Sequence, residues 1–441
     1  MIVMKFGGSC LDKPNDLRRM VSLVKAAEQE RPKLVLSAFK GITDELLNQA
    51  ISAKNDNFDI KNIESKHQQL LEELPSTVRP RLEKRLDQLL EELRNTLLGV
   101  TYLRELTPAT LDRIVSYGER LAIHTAAGYM TEAGLDSVPL SDVDAGILTD
   151  SNFSNACILD ESHPLIREKI AGTHVPLIAG FFGRDKAGRI TTLGRGGSDY
   201  VATLLASVLG CKCVLFKDVK GVMTADPKIV EDAKLIAEMD YLTAIELGRY
   251  GSRVVFEKVV GPAMKAGIPI QVTSFLDPSK GTLISNRGEA EAISAIRNVS
   301  MIRLLRLPNL SAIASILGEL AAERAVDPLI LAEVFRNEIS IVTPDTQIER
   351  VSQIAKKMGE ETLIKVEGNL ALIAAIGKRF TASQVHETLQ REKVEASAVV
   401  PGPSGITTCA IVNMQDSERS VKLLHDALGF SPRILRSSDH A

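Results

Sequence analysis

Two glycine-rich loops carry the residue types that phosphate chemistry needs. The first, Lys5-Phe6-Gly7-Gly8-Ser9, closes the apolar run Ile2-Val3-Met4. Such a run reads as a buried strand. The glycines let the backbone turn sharply and approach a ligand, and a lysine beside bare backbone N–H groups is suited to a phosphate. Taken alone, the segment fits a tight turn with a surface lysine equally well. The second loop, Leu193-Gly194-Arg195-Gly196-Gly197-Ser198-Asp199, precedes an Ala/Leu-rich helical stretch at 200–209. Ser198 or Asp199 is placed to cap that helix, whose first N–H groups would form an anion site. Lys217-Asp218 ends a third short apolar run at 214–216, and Asp226-Pro227-Lys228 makes a turn just beyond it. In open α/β sheets ligands bind at the carboxyl ends of strands. Neither a G-x-x-x-x-G-K-[ST] nor a G-x-G-x-x-G segment is present, so P-loop and dinucleotide fingerprints are both excluded.

Other reactive residues point elsewhere. The seven histidines are scattered and none reads as a base or a ligand. Cys211 and Cys213 share one strand face with no second Cys/His pair nearby, which favours packing over metal. Cys10 reads as a small buried residue. No protein-ligated metal is expected.

The elements that must position the loops alternate between strand and helix: strand at 2–6, helix at 16–30, strand at 33–38, helix at 42–53. That alternation predicts an α/β fold with an open, mainly parallel sheet. Residues 60–132 differ, with a leucine stripe broken at Pro75 and Pro80 that reads as a helical hairpin packed on the domain. The helix at 108–132 carries Ser116-Tyr117-Gly118-Glu119. A strand at 175–179, a turn-rich hairpin region at 180–188, a short strand at 189–192, helices at 240–250 and 252–266 and a strand at 268–272 complete a first domain over 1–292. Residues 293–441 have no glycine-rich phosphate loop. They hold two copies of a mixed unit, each roughly 65 residues, the size of a small ferredoxin-like α+β fold. Strands are expected at 301–305, 329–335, 339–343, 363–366, 371–376, 396–400 and 407–412, with helices at 310–323, 348–358, 382–392 and 417–428. Units this small bury little core alone, so the two are expected to pair.

The bulk numbers narrow the class. A chain of 441 residues suits two or three domains. A net charge of −3 gives no electrostatic case for nucleic acid or an anionic membrane. No apolar stretch reaches the roughly 18 residues of a membrane span, and no signal peptide opens the chain. Five cysteines, odd in number and sparse, favour a reducing compartment, the cytoplasm.

These segments, in this order, resemble aspartate kinase. The family's Lys-Phe-Gly-Gly-Thr-Ser is Lys5 to Cys10 here, its Ser-Ala-x-x-Gly-Ile-Thr is Ser37 to Thr43, and its Ser-x-Gly-Glu is Ser116 to Glu119. Its Thr-Leu-Gly-Arg-Gly-Gly-Ser-Asp is intact at 192–199. The departures fall where the nucleotide should sit: Thr is Lys217, Tyr is Met223 and Arg is Lys228, and Gly-Ala-Lys-Val-Leu-His-Pro resembles Gly251-Ser252-Arg253-Val254-Val255-Phe256-Glu257. An arginine-to-lysine change loses a bidentate phosphate fork. The tail resembles the family's paired ACT domains, though Leu307-Pro308-Asn309-Leu310 replaces the usual effector loop.

The resemblance implies transfer of the ATP γ-phosphoryl to the side-chain carboxylate of L-aspartate, with Mg²⁺. Lys5 would stabilise the phosphoryl in flight, and Asp199 would orient Lys5 or the Mg²⁺ shell. Gly7, Gly8, Ser9, Gly196 and Gly197 would offer groups to the phosphates. Thr43, Glu119, Arg195 and Ser198 would hold the substrate, Glu119 on its ammonium and Arg195 on its α-carboxylate. Lys217, Asp218, Met223, Lys228 and Arg253 would line the nucleotide. An amino-acid effector and a homodimer or higher homo-oligomer are also implied. Three readings remain open: aspartate kinase, an acyl-phosphate kinase for another amino acid, or a catalytically weak amino-acid sensor that keeps the fold.

Overall fold

The computed structural model describes residues 1–141, 145–170, 172, 175–252, 254–322, 338–357, 362–427 and 429. The chain divides into two compact units, Met1–Val222 with Glu257–Gly288, and Met223–Phe256 with Glu289–Ala441. Residues 223–256, expected in the first domain, therefore group with the second unit.

The first unit is built on strands β1 (Ile2–Phe6), β2 (Pro32–Leu36), β3 (Ser137–Leu140), β4 (Val175–Ala179), β5 (Phe182–Arg184), β6 (Ile190–Thr192) and β7 (Lys212–Lys217). After β8 (Glu238–Asp240) of the second unit come β9 (Ile270–Ser274) and β10 (Gly281–Ser285). The main sheet runs β3-β4-β2-β1-β7-β9-β10, parallel except for the antiparallel β9–β10 pair. β5 and β6 form a separate hairpin. β1 lies between β2 and β7, so successive connections leave it in opposite directions. This is the switch point at which open α/β sheets bind ligands. Both faces of β1 and β2 are buried, which accounts for their continuous apolar runs.

Packing fixes the register at this point. Lys5 pairs with Leu215 and Phe6 with Phe216. The Phe6 and Phe216 rings stack, with centroids 4.7 Å apart and planes 2° from parallel, and Phe275 meets Phe6 edge-on at 6.1 Å. Because side chains alternate along a strand, Lys5 and Lys217 both lie on the opposite face from this stack. A slip of one residue would separate them.

The helices of the first unit are α1 (Pro14–Ala26), α2 (Ile42–Ala53), α3 (Lys61–Glu72), α4 (Arg79–Leu103), α5 (Pro108–Glu132), α6 (Ser162–Ile170) and α7 (Gly197–Leu209), followed, after α8 (Tyr241–Arg249) of the second unit, by α9 (Glu257–Ala266). The expected helical insert resolves into α3, α4 and α5. Pro75 lies in the break between α3 and α4, and Pro80 is tolerated in the first turn of α4. The leucine stripe of α4 packs on α5 and joins the core of the sheet domain. No helix among the described residues is long and apolar enough to cross a membrane.

In the second unit, β11 (Ala292–Leu305), β12 (Ile339–Pro344), β13 (Leu363–Ile376), β14 (Ala396–Pro401) and β15 (Thr407–Asn413) form one antiparallel sheet in the order β12-β11-β13-β15-β14. Helices α10 (Leu310–Ala322), α11 (Ile348–Lys356), α12 (Ala382–Arg391) and α13 (Ser417–Ala427) accompany it. The two strands expected at 363–366 and 371–376 are a single strand, β13. It pairs along its length with the equally long β11, with register shifts near Val299. The two copies thus share one sheet but keep separate cores, one around Ile302, Ile316 and Ile354, the other around Ile373, Leu389 and Leu424. The strand expected at 329–335 lies outside the described residues.

Leu93 of α4 is fully buried. Replacing it with alanine leaves a cavity in a close-packed core and should cost about 2–5 kcal/mol, measured as a shift in the urea unfolding transition of the first unit.

Candidate functional site

The site is organised around a carboxylate that the sequence places wrongly. Asp199 and Ser198 do not cap α7: the cap is Gly196, whose φ of 73° is left-handed and favours glycine, and it receives no side-chain hydrogen bond. The helix therefore begins at Gly197, three residues before the expected start. Asp199 falls in the first turn, buried, where a negative charge also suits the helix dipole. Its Oδ1 lies 2.7 Å from Lys5 Nζ as an ion pair, and its Oδ2 accepts a 2.5 Å hydrogen bond from Lys217 Nζ. Burial pushes the Asp199 carboxyl up, but the two ammonium groups outweigh it and hold the group at about 2. Two cations on one anion leave a surplus positive charge at the sheet's switch point, which favours binding of an anion.

The first glycine loop lies against this cluster. A Cβ on Gly8 would stand 2.5 Å from the Ala38 carbonyl oxygen, so no larger residue fits without moving backbone. A Cβ on Gly7 would come within 3.3 Å of Lys5 Nζ. Gly8–Cys10 make one 3₁₀ turn in which Ser9 is exposed. In the second loop Gly197 packs on Leu193, Ser198 is buried, and Arg195 is exposed and pairs with no carboxylate among the described residues.

A third wall comes from α5. β2 ends at Leu36, two residues before the expected end, and the chain turns so that the Ala38 N–H donates to Glu119 Oε1 at 3.0 Å. A Cβ on Gly118 would meet the Ala38 Cβ at 2.7 Å, so this glycine lets α5 approach the turn. Glu119 is 2% exposed and its Oε2 has no partner among the described residues. Burial pushes its carboxyl up to about 8, against the lowering effect of the Ala38 N–H and the Lys5 charge. Its burial thus favours the protonated form at pH 7. Thr43 is half-buried in the first turn of α2.

Not every expected residue belongs to this grouping. Lys5, Gly7, Gly8, Asp199 and Lys217 come together around the charge cluster, and Glu119 lies within range of the Lys5 charge. Asp218 follows Lys217 and is exposed. Met223 and Lys228 lie in the second unit, Met223 bridged to Leu235 and Lys228 in a turn where its N–H donates to Asp226 Oδ1. Arg253 lies outside the described residues. Two polar groups escaped sequence reasoning. Asp112 accepts hydrogen bonds from Thr192, and Lys258 donates to the Leu193 carbonyl. Asp112 carries a faint signal, since seven residues before Glu119 puts it on the same face of α5. Lys258 carries none.

Among the described residues no three His, Cys, Asp or Glu side chains form a metal-binding group. Both Asp199 oxygens are engaged by ammonium groups. This donor set fits a divalent cation only as a partner of phosphate oxygens, the usual habit of Mg²⁺, with Asp218 as the exposed carboxylate adjoining the cluster.

A model of the amino acid kinase family matches residues 1–274. The chain is 30% identical to the aspartokinase of Helicobacter pylori, over 71% of this chain and 82% of that protein. It is 29% identical to lysine-sensitive aspartokinase 3 of Escherichia coli, over 97% of this chain and 99% of that one. Among solved structures, E. coli aspartokinase III in complex with aspartate and ADP (R-state) superposes with a TM-score of 0.83 at 25% identity, covering 97% of this chain and all of that one.

Removing the Asp199 charge should show how far the cluster depends on it. Asp199→Asn leaves the buried Lys5 ammonium and the partly buried Lys217 ammonium without a counterion and should destabilise the first unit by about 3–5 kcal/mol at pH 7. The two ammonium groups hold the Asp199 pKa at about 2, below its ordinary value of 3.8. The wild-type advantage is therefore complete above pH 4 and disappears as pH falls through about 2. Denaturant unfolding of both proteins across that range checks it.

Proposed function

Since the chain belongs to the amino acid kinase family and, within it, to the aspartokinases, we propose that it transfers the γ-phosphoryl group of ATP to the side-chain carboxylate of L-aspartate, yielding 4-phospho-L-aspartate and ADP. The observation that carries this reading is the Lys5–Asp199–Lys217 cluster, a surplus of positive charge around a buried carboxylate at the carboxyl ends of β1 and β7.

The acceptor carboxylate is ionised at pH 7, so its oxygen attacks phosphorus without a general base. That suits a site with no histidine in its motifs. Phosphoryl transfer then rests on alignment and charge stabilisation. Lys5 follows the phosphoryl group as the bond to ADP breaks and the bond to the acceptor forms, while Asp199 keeps Lys5 and Lys217 aimed. Gly7, Gly8, Ser9, Gly196 and Gly197 serve the phosphates through backbone N–H groups and the Ser9 hydroxyl. Arg195 forks onto the substrate α-carboxylate, Glu119 takes the ammonium, and Thr43 and Ser198 hydrogen-bond the substrate. Lys217 and Asp218 face the nucleotide; Met223, Lys228 and Arg253 are assigned to it through the resemblance alone. Mg²⁺, when bound, neutralises phosphate charge, and Asp218 would hold its hydration shell.

Such a product opens the route to lysine, threonine and methionine. The name of the lysine-sensitive E. coli relative supports an amino-acid effector, which we assign to the ACT-like domains over 293–441 of a homodimer or higher homo-oligomer. Five cysteines, odd in number and sparse, fit a reducing compartment, the cytoplasm.

Trapping the acyl phosphate with hydroxylamine, using Mg-ATP and a panel of acidic amino acids, tests the reaction. Hydroxamate should form with aspartate, and Lys5→Met should lower the rate by about 10²–10³-fold. Turnover confined to another acid, ATP binding without turnover, or an unchanged Lys5→Met rate each overturns the reading. Aspartate binding at pH 7 should also release close to one proton, because pairing with its ammonium requires Glu119 as the carboxylate. Calorimetry in two buffers of different ionisation enthalpy reads this directly. Glu119→Gln should abolish the release and weaken aspartate binding by about tenfold or more; a binding heat independent of buffer would remove Glu119 from the ammonium site.

A further inference from the structure

We infer that Asp112 is a positioning residue for the amino-acid substrate, anchoring the loop that carries Arg195 at a set distance from Glu119 on the same helix. This rests on the proposed reaction for its substrate but not for its geometry.

Asp112 is 1% exposed, and both carboxylate oxygens are in use. Oδ2 accepts from the Thr192 N–H at 2.7 Å and the Ser154 N–H at 2.8 Å. Oδ1 accepts from the Thr192 hydroxyl at 2.8 Å and the Ser154 hydroxyl at 3.2 Å. Four donors satisfy a buried carboxylate without a cation, and among the described residues Asp112 makes no ion pair. Its bonds go to backbone and hydroxyl groups of the 152–156 loop and of Thr192, the last residue of β6 before the glycine loop, so its work is to hold the two together. Ser154 adopts the left-handed φ of 67°, a conformation that needs outside support in a residue other than glycine.

The loop needs such support because it is built from hinges. Gly194 and Gly196 have φ of 68° and 73°, and Gly197 follows at the start of α7. Glycines lose the most conformational freedom on ordering. Arg195 stands between these hinges, exposed and without a carboxylate partner among the described residues, so its direction depends on where the loop is tied. The ties sit just before the first hinge. Asp112 grips Thr192, the Thr192 carbonyl accepts from the Ala156 N–H at 2.9 Å, and Lys258 Nζ donates to the Leu193 carbonyl and, at 3.3 Å, to Asn155 Oδ1. The 152–156 loop thus forms a floor beneath the glycine loop, joined to it by α5 on one side and α9 on the other.

Helix α5 adds a metric. Asp112 and Glu119 are seven residues apart, two turns on one face and about 10 Å along the axis. One rigid element therefore sets the spacing between the group assigned to the substrate ammonium and the anchor of the residue assigned to its α-carboxylate. Gly196 and Gly197, assigned to the phosphates, are the cap and first residue of α7 and are held by that helix as well as by the tie. Loss of Asp112 should therefore act on the amino acid more than on ATP.

The test compares Asp112→Asn, Thr192→Val and Ser154→Ala with wild type, with Thr192→Ser as the conservative control. In Asp112→Asn the aspartate KM should rise about tenfold or more, the worth of hydrogen bonds to a charged group, while the ATP KM stays within about twofold. Thr192→Val and Ser154→Ala should move in the same direction, and Thr192→Ser should retain wild-type constants. Amide hydrogen exchange over 193–197 should quicken in Asp112→Asn while exchange around Glu119 is unchanged. An unchanged aspartate KM, or both KM values rising together with a loss of thermal stability, overturns the inference. Should wild type prove inactive with aspartate, the proposed reaction falls. Loop exchange needs no substrate and still decides the anchor: unchanged protection over 193–197 in Asp112→Asn overturns it.

Discussion

The structure of the site depends on burying one carboxylate between two ammonium groups. Unpaired charge inside a protein is costly, so Lys5 and Lys217 can leave water only if Asp199 reaches both, and Asp199 can leave water only with them. That requirement is met with β1 beside β7, in the register in which Phe6 stacks on Phe216, and with α7 beginning at Gly197. The left-handed turn at Gly196 is the local cost of starting the helix there.

The site then divides by charge. On the sheet side the surplus cation and the glycine backbone face an anion. On the α5 side burial favours the neutral form of Glu119, whose Oε2 has no hydrogen-bond partner among the described residues. The Ala38 turn lies between them, touching Gly8 with its carbonyl oxygen and Glu119 with its N–H. A substrate that is anionic at one end and carries an ammonium at the other suits such a division. An acceptor already ionised needs no base, which fits the use of His67 elsewhere. That residue is buried against Thr125, and burial pushes its pKa down to about 3, so it remains neutral in the core.

Much of the first unit is legible from local pattern. The span of α2 and the start and end of β1 follow from apolar periodicity, because one apolar face or run is all that each element needs. The glycine loops are legible because few residues other than glycine allow left-handed turns and close backbone approach. Calling Ser198 or Asp199 a cap failed because local capping rules assume the side chain has nothing better to bind; here two lysines from distant strands compete for Asp199 and win. The grouping of Met223 and Lys228 with the second unit is set by which core the 223–256 segment joins, and no local pattern records that choice. The segments 363–366 and 371–376 belong to one strand because pairing with the long β11 continues on both sides of Glu367-Gly368-Asn369, across a shift in register.

The sequence by itself determined the residue types available for chemistry and the loops that present them, since turn geometry and helix periodicity act over a few residues. Tertiary structure decided which charges meet. Lys5, Asp199 and Lys217 span more than two hundred positions, and Asp112 reaches Thr192 across eighty. Such pairings depend on strand order and helix placement, and these follow from burying the whole core at once. The lysine of the first glycine loop was identifiable from five residues; its counterion was not.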